Sequence, residues 1–162
     1  MKKQFVLSEG IKEKINSWLK KYPPEQVRSA LLPALHIVQD AHKGSLTEAA
    51  LEAIADYLQL PKVAVFEVAT FYSMYNLKPV GQHQINLCTN VSCMLNHSEK
   101  IYKHLKKKLG VSDNETTADG KFTLRQVECL AACAAAPVCM INKTYHGNLT
   151  PEKIDIILEE LS

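Results

Sequence analysis

The sequence predicts an α+β fold in which an N-terminal helical bundle, residues 1–80, precedes a domain with a small mixed sheet, residues 81–162. Three observations support this division. Apolar residues recur at helical spacing through the first eighty residues. From residue 81 onward, short segments alternate apolar and polar residues, as strands do. All five cysteines lie in this second region, and four of them form two closely spaced pairs.

Two proline-marked helices open the first region. The first helix is expected to carry an apolar stripe made of Ile11, Ile15, Trp18 and Leu19. Pro23 and Pro24 end this helix and begin the second, with Pro24 suited to a first-turn position. Pro33 lacks the backbone N–H that a helix interior needs, so it must kink the second helix or force it to restart.

Two further helices complete the first region. Residues Ser45 to Glu48 have the form of a capping box for the third helix, and Pro61 separates it from the fourth. The fourth is expected to run through residues 63–75 and to contribute aromatic side chains to the core, namely Phe66, Phe71, Tyr72 and Tyr75. The alternative for the pair Phe71–Tyr72 is exposure, as an anchor for a partner protein.

The second region reads as strand, helix, three strands and a final helix. The predicted strands cover residues 83–88, 122–129, 138–142 and a short stretch near Tyr145, with helices over 96–109 and after 148–151. A helix separates the first two strands, so these should be parallel with a right-handed crossover. The last two are close enough in sequence to form an antiparallel hairpin. This order is that of a thioredoxin-like sheet.

Four cysteines are placed to meet at one edge of this sheet. Cys88 and Cys93 form C-x4-C, and Cys129 and Cys133 form C-x3-C. Cys88 and Cys129 end the two parallel strands, whose carboxyl ends lie at the same edge. The topology therefore predicts one four-sulfur site, although neither pair alone would indicate one.

The spacing of the pairs favours an iron–sulfur cluster. Structural zinc prefers short C-x2-C knuckles around a single ion, whereas the wider intervals here suit two irons that each take two thiolates. Zinc, redox-active thiols and inert thiols remain open alternatives on spacing alone. A thioredoxin-type oxidoreductase is disfavoured because C-x-x-C is missing. Cys139 sits inside an alternating apolar strand and is expected to be a buried, unreactive thiol.

Composition argues against several functional classes. The formal charge of +2 predicts no nucleic-acid partner, and the dense lysines at 103 and 106–108 are expected to form a solvated helix face. The six glycines are scattered and form neither G-x-G-x-x-G nor a phosphate-binding loop. We therefore expect no nucleotide or flavin site and no complete active site in this chain, and a partner that supplies the chemistry.

The sequence also bears on compartment. No segment approaches the roughly 18 apolar residues of a membrane span, and the run after Lys2–Lys3 is too short for a secretory signal. We expect no direct membrane insertion. A reducing, bacterial-type cytoplasm is the expected location, where clustered cysteines more often indicate metal or catalysis than disulfides.

At these residues the sequence resembles a known family, the thioredoxin-like [2Fe–2S] ferredoxin subunits (E type) of bacterial NADH:quinone oxidoreductase, respiratory complex I. The resemblance extends over nearly the whole chain and rests on YPPEQVRSALLPALHIVQ (22–39), ATFYSMYNLKPVG (69–81), CTNVSCML (88–95), VECLAACAAAPVCMIN (127–142) and YHGNLTPEKIDIIL (145–158). It implies that the cluster ligands are Cys88, Cys93, Cys129 and Cys133, and it matches no ligand to Cys139. Where this family often has glycine the chain has Ala131, which would be strained if the turn requires positive φ.

The resemblance also implies partners and a location. It implies one [2Fe–2S] cluster on this chain, a larger partner subunit that binds FMN and NADH, and a further iron–sulfur subunit of the NADH-oxidising module. The chain would then be peripheral on the inner face of the cell membrane through the complex. Related subunits serve soluble NAD-linked hydrogenases and formate dehydrogenases, which are the alternative. A zinc-stabilised scaffold without redox function is a more distant one.

Overall fold

The computed structural model describes residues 5–161, and within them the chain divides into two compact units between Pro79 and Val80. The first unit is helical and the second contains a five-stranded mixed sheet with helices. The predicted α+β fold is therefore confirmed. That the two units are independently folding domains, with the boundaries 1–80 and 81–162, stays a prediction.

Four α-helices and one 3₁₀ helix make up the first unit. They are α1 Glu9–Leu19, the 3₁₀ helix Pro24–Ala30, α2 Leu31–Ala41, α3 Glu48–Leu58 and α4 Lys62–Phe71. One apolar core joins them, and its largest fully buried side chains are Ile15, Leu31, Leu35, Val38, Leu46, Leu51 and Ile54. Pro33 lies in the first turn of α2, where its missing N–H costs no helical bond. The helix restarts at this point, one of the two predicted outcomes.

The start of the third helix differs from the prediction. Thr47, not Ser45, is the N-cap of α3, and its hydroxyl oxygen accepts a hydrogen bond from the Ala50 N–H at 3.2 Å. The backbone N–H of Leu46 instead donates to the carbonyl oxygen of Asn76 at 2.7 Å. This contact from a distant part of the chain keeps residues 45–47 outside the helix.

The aromatic side chains of the first unit are divided between core and surface. Tyr75 is buried, and its hydroxyl donates to the carbonyl oxygen of Leu32 at 2.9 Å. The core prediction is wrong for Phe71, which ends α4 and is 80% exposed, and for the exposed Tyr72 beside it. Trp18 is also exposed, with the Lys21 ammonium 3.7 Å from the centre of its ring. Helical periodicity placed these rings on apolar stripes but did not show where each stripe ends.

The second unit is built around a central parallel pair of strands. Its elements are β1 His83–Cys88, α5 Val91–Leu95, α6 Ser98–Leu109, β2 Glu115–Thr116, β3 Phe122–Val127, the 3₁₀ helix Cys133–Ala135, β4 Cys139–Ile141, β5 Thr144–His146 and α7 Pro151–Glu160. The strand order is β2-β3-β1-β4-β5. The predicted parallel pairing of β1 with β3 and the antiparallel β4–β5 hairpin are both confirmed. Helix α5 and the two-residue β2 were not predicted.

Register fixes which residues end together at the sheet edge. β1 and β3 run in parallel from His83 opposite Phe122 to Cys88 opposite Val127. A second apolar core joins the sheet to α6 and α7, with Ile85, Leu87, Leu105, Leu124 and Ile154 fully buried. The carboxyl ends of the two parallel strands are thus held at one edge by a packed core. Among residues 5–161, no helix is both long and apolar enough to cross a membrane.

Candidate metal centre

Cys88 is delivered to the sheet edge by the last position of β1. Its N–H donates to the carbonyl oxygen of Val138 at 3.1 Å, and its thiol donates to the carbonyl oxygen of Glu128 at 3.7 Å. The residue is 4% exposed. Both contacts reach the segment that follows β3, so Cys88 is fixed between the strand that carries it and the second cysteine loop.

Cys93 lies on the short helix α5 that follows β1. The side-chain oxygen of Asn90 accepts from the Val91 N–H at 2.8 Å and begins this helix. Cys93 is 1% exposed, and its thiol is within hydrogen-bonding reach of the Cys88 thiol. Burial raises the pKa of Cys93, the backbone of Val138 lowers it by a hydrogen bond, and the neighbouring Cys88 raises it.

The second pair lies on an irregular loop after β3. The prediction that Cys129 ends the strand is wrong, because β3 stops at Val127 and Cys129 comes two residues later. Cys133 begins the 3₁₀ helix that ends at Ala135. Unlike the first pair, both are exposed. Ala131, which stands where the similar family often has glycine, adopts a positive φ of +54°. Its N–H donates to the Cys129 sulfur at 3.3 Å. The positive φ on which the expected strain of Ala131 depends is therefore confirmed.

Three of the four cysteines lie near one another at this sheet edge, and a single site that also includes Cys129 stays a prediction. Cys88 and Cys93 are in contact, and Cys133 lies close enough to Cys93 for their charges to interact. Cys88, Cys93 and Val138 form a small apolar cluster with the partly buried Leu130, Ala132 and Ala136. Within residues 5–161, no three acidic, histidine or cysteine side chains already converge on a single point. The described thiols are arranged as two pairs, one buried and one exposed.

This donor set fits a [2Fe–2S] cluster. Four thiols that form no disulfide are available, two for each iron, and no other ligand type is needed. The backbone N–H groups of Ala131 and Val138 are directed at two of the sulfurs. Hydrogen bonds of this kind and apolar surroundings tune the reduction potential of such clusters.

Cys139 is separate from this group. It lies in β4 opposite Leu87 and is fully buried in the core of the second unit. Burial raises the pKa of its thiol to about 12. The prediction that Cys139 is a buried strand thiol is confirmed.

Sequence reasoning missed two contacts around the site. One is the Val138 N–H at Cys93, which depends on how β4 enters the sheet and has no signal in the sequence. The other is the turn at Gly147 and Asn148, whose backbone contacts Ala135. A turn leading into the last helix was predicted from residue 148 onward, but the sequence does not show what this turn packs against.

The sequence model of the family described as thioredoxin-like [2Fe-2S] ferredoxin matches residues 15–162 of this chain. The chain belongs to this family. Curated relatives agree along almost the whole length. The NADH-quinone oxidoreductase E subunit of Rickettsia bellii is 47% identical over 160 residues, which cover 99% of this chain and 92% of the relative. The second NADH-quinone oxidoreductase E subunit of Rhizobium meliloti is 45% identical over 149 residues, covering 92% and 87%.

A solved structure shares the fold of this family member. The crystal structure of an air-oxidised NAD⁺-reducing [NiFe]-hydrogenase superimposes with a TM-score of 0.70 and 24% sequence identity. The match covers 81% of this chain but only 22% of the hydrogenase chain. At this level of identity the likeness supports the fold.

Proposed function

We propose that this chain is the electron-transfer subunit of the E type in an NADH:quinone oxidoreductase and holds one [2Fe–2S] cluster through Cys88, Cys93, Cys129 and Cys133. The observation that carries the ligand assignment is the register of β1 and β3, which ends with Cys88 opposite Val127, two residues before Cys129. The near-complete coverage of the curated E-type relatives supports the assignment to this complex.

Within that function, the chain's residues provide a site and not a reaction centre. When bound, the cluster accepts and gives up one electron at a time. Cys88 and Cys93 hold their half of the site inside the unit, where apolar packing excludes water. The exposed Cys129 and Cys133 place the other half at the surface, where a partner can approach closely enough for electron exchange.

The partners follow from the same proposal. The chain would be held against a larger subunit that binds FMN and NADH, beside a further iron–sulfur subunit of the NADH-oxidising module. The hydride chemistry belongs to that larger subunit, so this chain contributes to an enzyme without a complete active site of its own. Through the complex it would be peripheral on the inner, cytoplasmic face of the cell membrane.

Iron, zinc and acid-labile sulfide analysis of the purified chain, with EPR of the reduced protein, tests the cofactor. Two irons and two sulfides per chain with a reduced-state EPR signal support the proposal. Zinc without sulfide would end it in favour of the zinc-stabilised scaffold. Affinity purification of the chain from its own cells then identifies the neighbouring subunits. Recovery of a hydrogenase or formate dehydrogenase catalytic subunit would move the chain to the soluble NAD-linked alternative.

A further inference from the structure

Residues 147–149, which connect β5 to α7, pack against the second cysteine loop through their backbone, and we call this turn the wall. The Asn148 N–H donates to the carbonyl oxygen of Ala135 at 2.6 Å, and the Leu149 N–H donates to that of Pro137 at 3.1 Å. Ala135 and Pro137 both belong to the segment that leads from Cys133 to β4. Turn 147–149 therefore binds this segment at two points, on the C-terminal side of Cys133.

The wall is itself held in place by the core of the second unit and by α7. The side chain of Leu149 is buried in the core of the second unit. The Lys153 ammonium donates to the carbonyl oxygen of Gly147 at 2.6 Å, and Thr150 caps the first turn of α7. Since the turn is held by the core and by α7, the irregular cysteine loop is the partner that has to adapt to it.

Gly147 is required here for space. Its φ is not in the left-handed region that favours glycine, so conformation does not demand this residue. A Cβ built on Gly147 would overlap the Cβ of Ala135 and lie 2.9 Å from the carbonyl oxygen of Ala135. An alanine at 147 must therefore push Ala135 away from the wall.

Displacement of Ala135 would be passed to Cys133. The two residues are the ends of one 3₁₀ turn, which is closed by hydrogen bonds from Ala135 N–H to Ala132 and from Ala136 N–H to Cys133. These two bonds tie Ala135 and Ala136 directly to the backbone of Ala132 and Cys133. A shift at Ala135 therefore changes the position of the Cys133 sulfur relative to the buried pair.

We propose that Gly147 is a positioning residue for the cluster. Because it has no side chain, the second cysteine loop can lie against turn 147–149, and this contact sets the position of the Cys133 sulfur relative to the other three thiols. This inference rests on the proposed function, since it assumes that the four cysteines are ligands. It predicts that the packing of the wall against the second cysteine loop determines how tightly the cluster is bound, and what its EPR g values and midpoint potential are.

The test compares four full-length proteins: the wild type, Gly147→Ala, the double variant Gly147→Ala/Ala135→Gly, and Gly10→Ala. The double variant removes the Cβ that the new methyl group would overlap. A Cβ added at Gly10, which lies in α1, would meet no atom within 4 Å, so Gly10→Ala is the matched glycine-to-alanine control. Circular dichroism checks folding, and the readouts are cluster loss to an iron chelator, the EPR g values and the midpoint potential.

We expect Gly147→Ala to lose its cluster roughly 10-fold faster than the wild type, with a changed EPR spectrum and potential. The double variant should recover part of the difference, because the Cβ overlap is removed while the 2.9 Å contact with the Ala135 carbonyl oxygen remains, and Gly10→Ala should match the wild type. A Gly147→Ala protein identical to the wild type in all three readouts would overturn the inference, as would a double variant no better than the single one.

Folding failure does not remove the test. If Gly147→Ala does not fold, recovery of a folded, cluster-bearing protein in the double variant supports the inference, and failure of the double variant overturns it. The proposed function fails differently, because a wild type without [2Fe–2S] would refute it before any variant is compared.

Discussion

The two cysteine loops reach the same sheet edge by different structural means. Cys88 and Cys93 sit on regular elements, the end of β1 and the helix α5, and both are almost fully buried. Cys129 and Cys133 are exposed on an irregular loop that contains a left-handed alanine and is supported by a distant turn. The first pair is thus part of the folded core, whereas the position of the second pair depends on local backbone geometry.

The largest expected effect comes from removing a ligand. Cys88→Ser, Cys93→Ser, Cys129→Ser and Cys133→Ser should each weaken or abolish the cluster, because a [2Fe–2S] cluster needs all four thiolates. Iron and sulfide content and the visible spectrum measure the loss. If Cys129→Ser or Cys133→Ser keeps a wild-type spectrum, the exposed pair does not supply half of the ligands.

The free energy of unfolding at alkaline pH tests whether Cys139 is a buried thiol separate from both cysteine loops. Its folded pKa of about 12 lies above the ordinary value of 9.0. Between those values the unfolded chain loses this proton and the folded chain keeps it. The free energy of unfolding should therefore fall by about 1.4 kcal/mol per pH unit across that range.

Cys139→Ala isolates this contribution. Denaturant unfolding of both proteins between pH 9.0 and about 12 should show a smaller fall in the free energy of unfolding for the variant than for the wild type. At neutral pH it should cost on the order of 1 kcal/mol for the lost packing. Its cluster spectrum should be unchanged, and loss of the spectrum would mean that Cys139 is a ligand.

A smaller effect separates the two pairs without the cluster. In the chain freed of metal, Cys93→Ala should lower the free energy of unfolding by about 1 kcal/mol, since it removes a buried sulfur. Cys133→Ala should change it by less than about 0.5 kcal/mol, because an exposed side chain contributes little packing. Equal values in urea titrations of the two variants would contradict the assignment of the first pair to the core.

The smallest effect concerns the backbone of the second loop. Ala131→Gly should raise the free energy of unfolding by up to about 1 kcal/mol, because glycine adopts a φ of +54° without the steric cost that alanine carries. Ala134→Gly is the matched control in the same loop, where φ is not positive. It should be neutral or destabilising, and thermal unfolding of both variants provides the comparison. Destabilisation by Ala131→Gly would show that the left-handed turn is not strained.

The sequence predicted the features that depend on local pattern. Strand β1 was placed at both ends by the alternation from His83 to Cys88, and its parallel partner followed from the crossover rule. Helix α5 was missed because its five residues are too few for helical periodicity to show. That both cysteine loops follow strand ends at one sheet edge was predictable, since it depends on strand direction, and a shared four-cysteine site stays a prediction.

Features set by distant contacts could not be read in this way. The cap of α3 moved to Thr47 because Leu46 bonds to Asn76, thirty residues later. The exposure of Phe71 depends on where the helices of the first unit stop covering α4, which no local spacing encodes. The role of the Gly147 turn requires knowledge of its neighbour Ala135.

The central position of β1 has a consequence for biosynthesis. Both of its neighbours, β3 and β4, come later in the chain, so β1 leaves the ribosome with two unpaired edges. It stays without its full set of partners until residue 141 has been made. The cysteines of the first loop are therefore made about forty residues before those of the second, and a cluster held by all four would have to wait until Cys133 has been made.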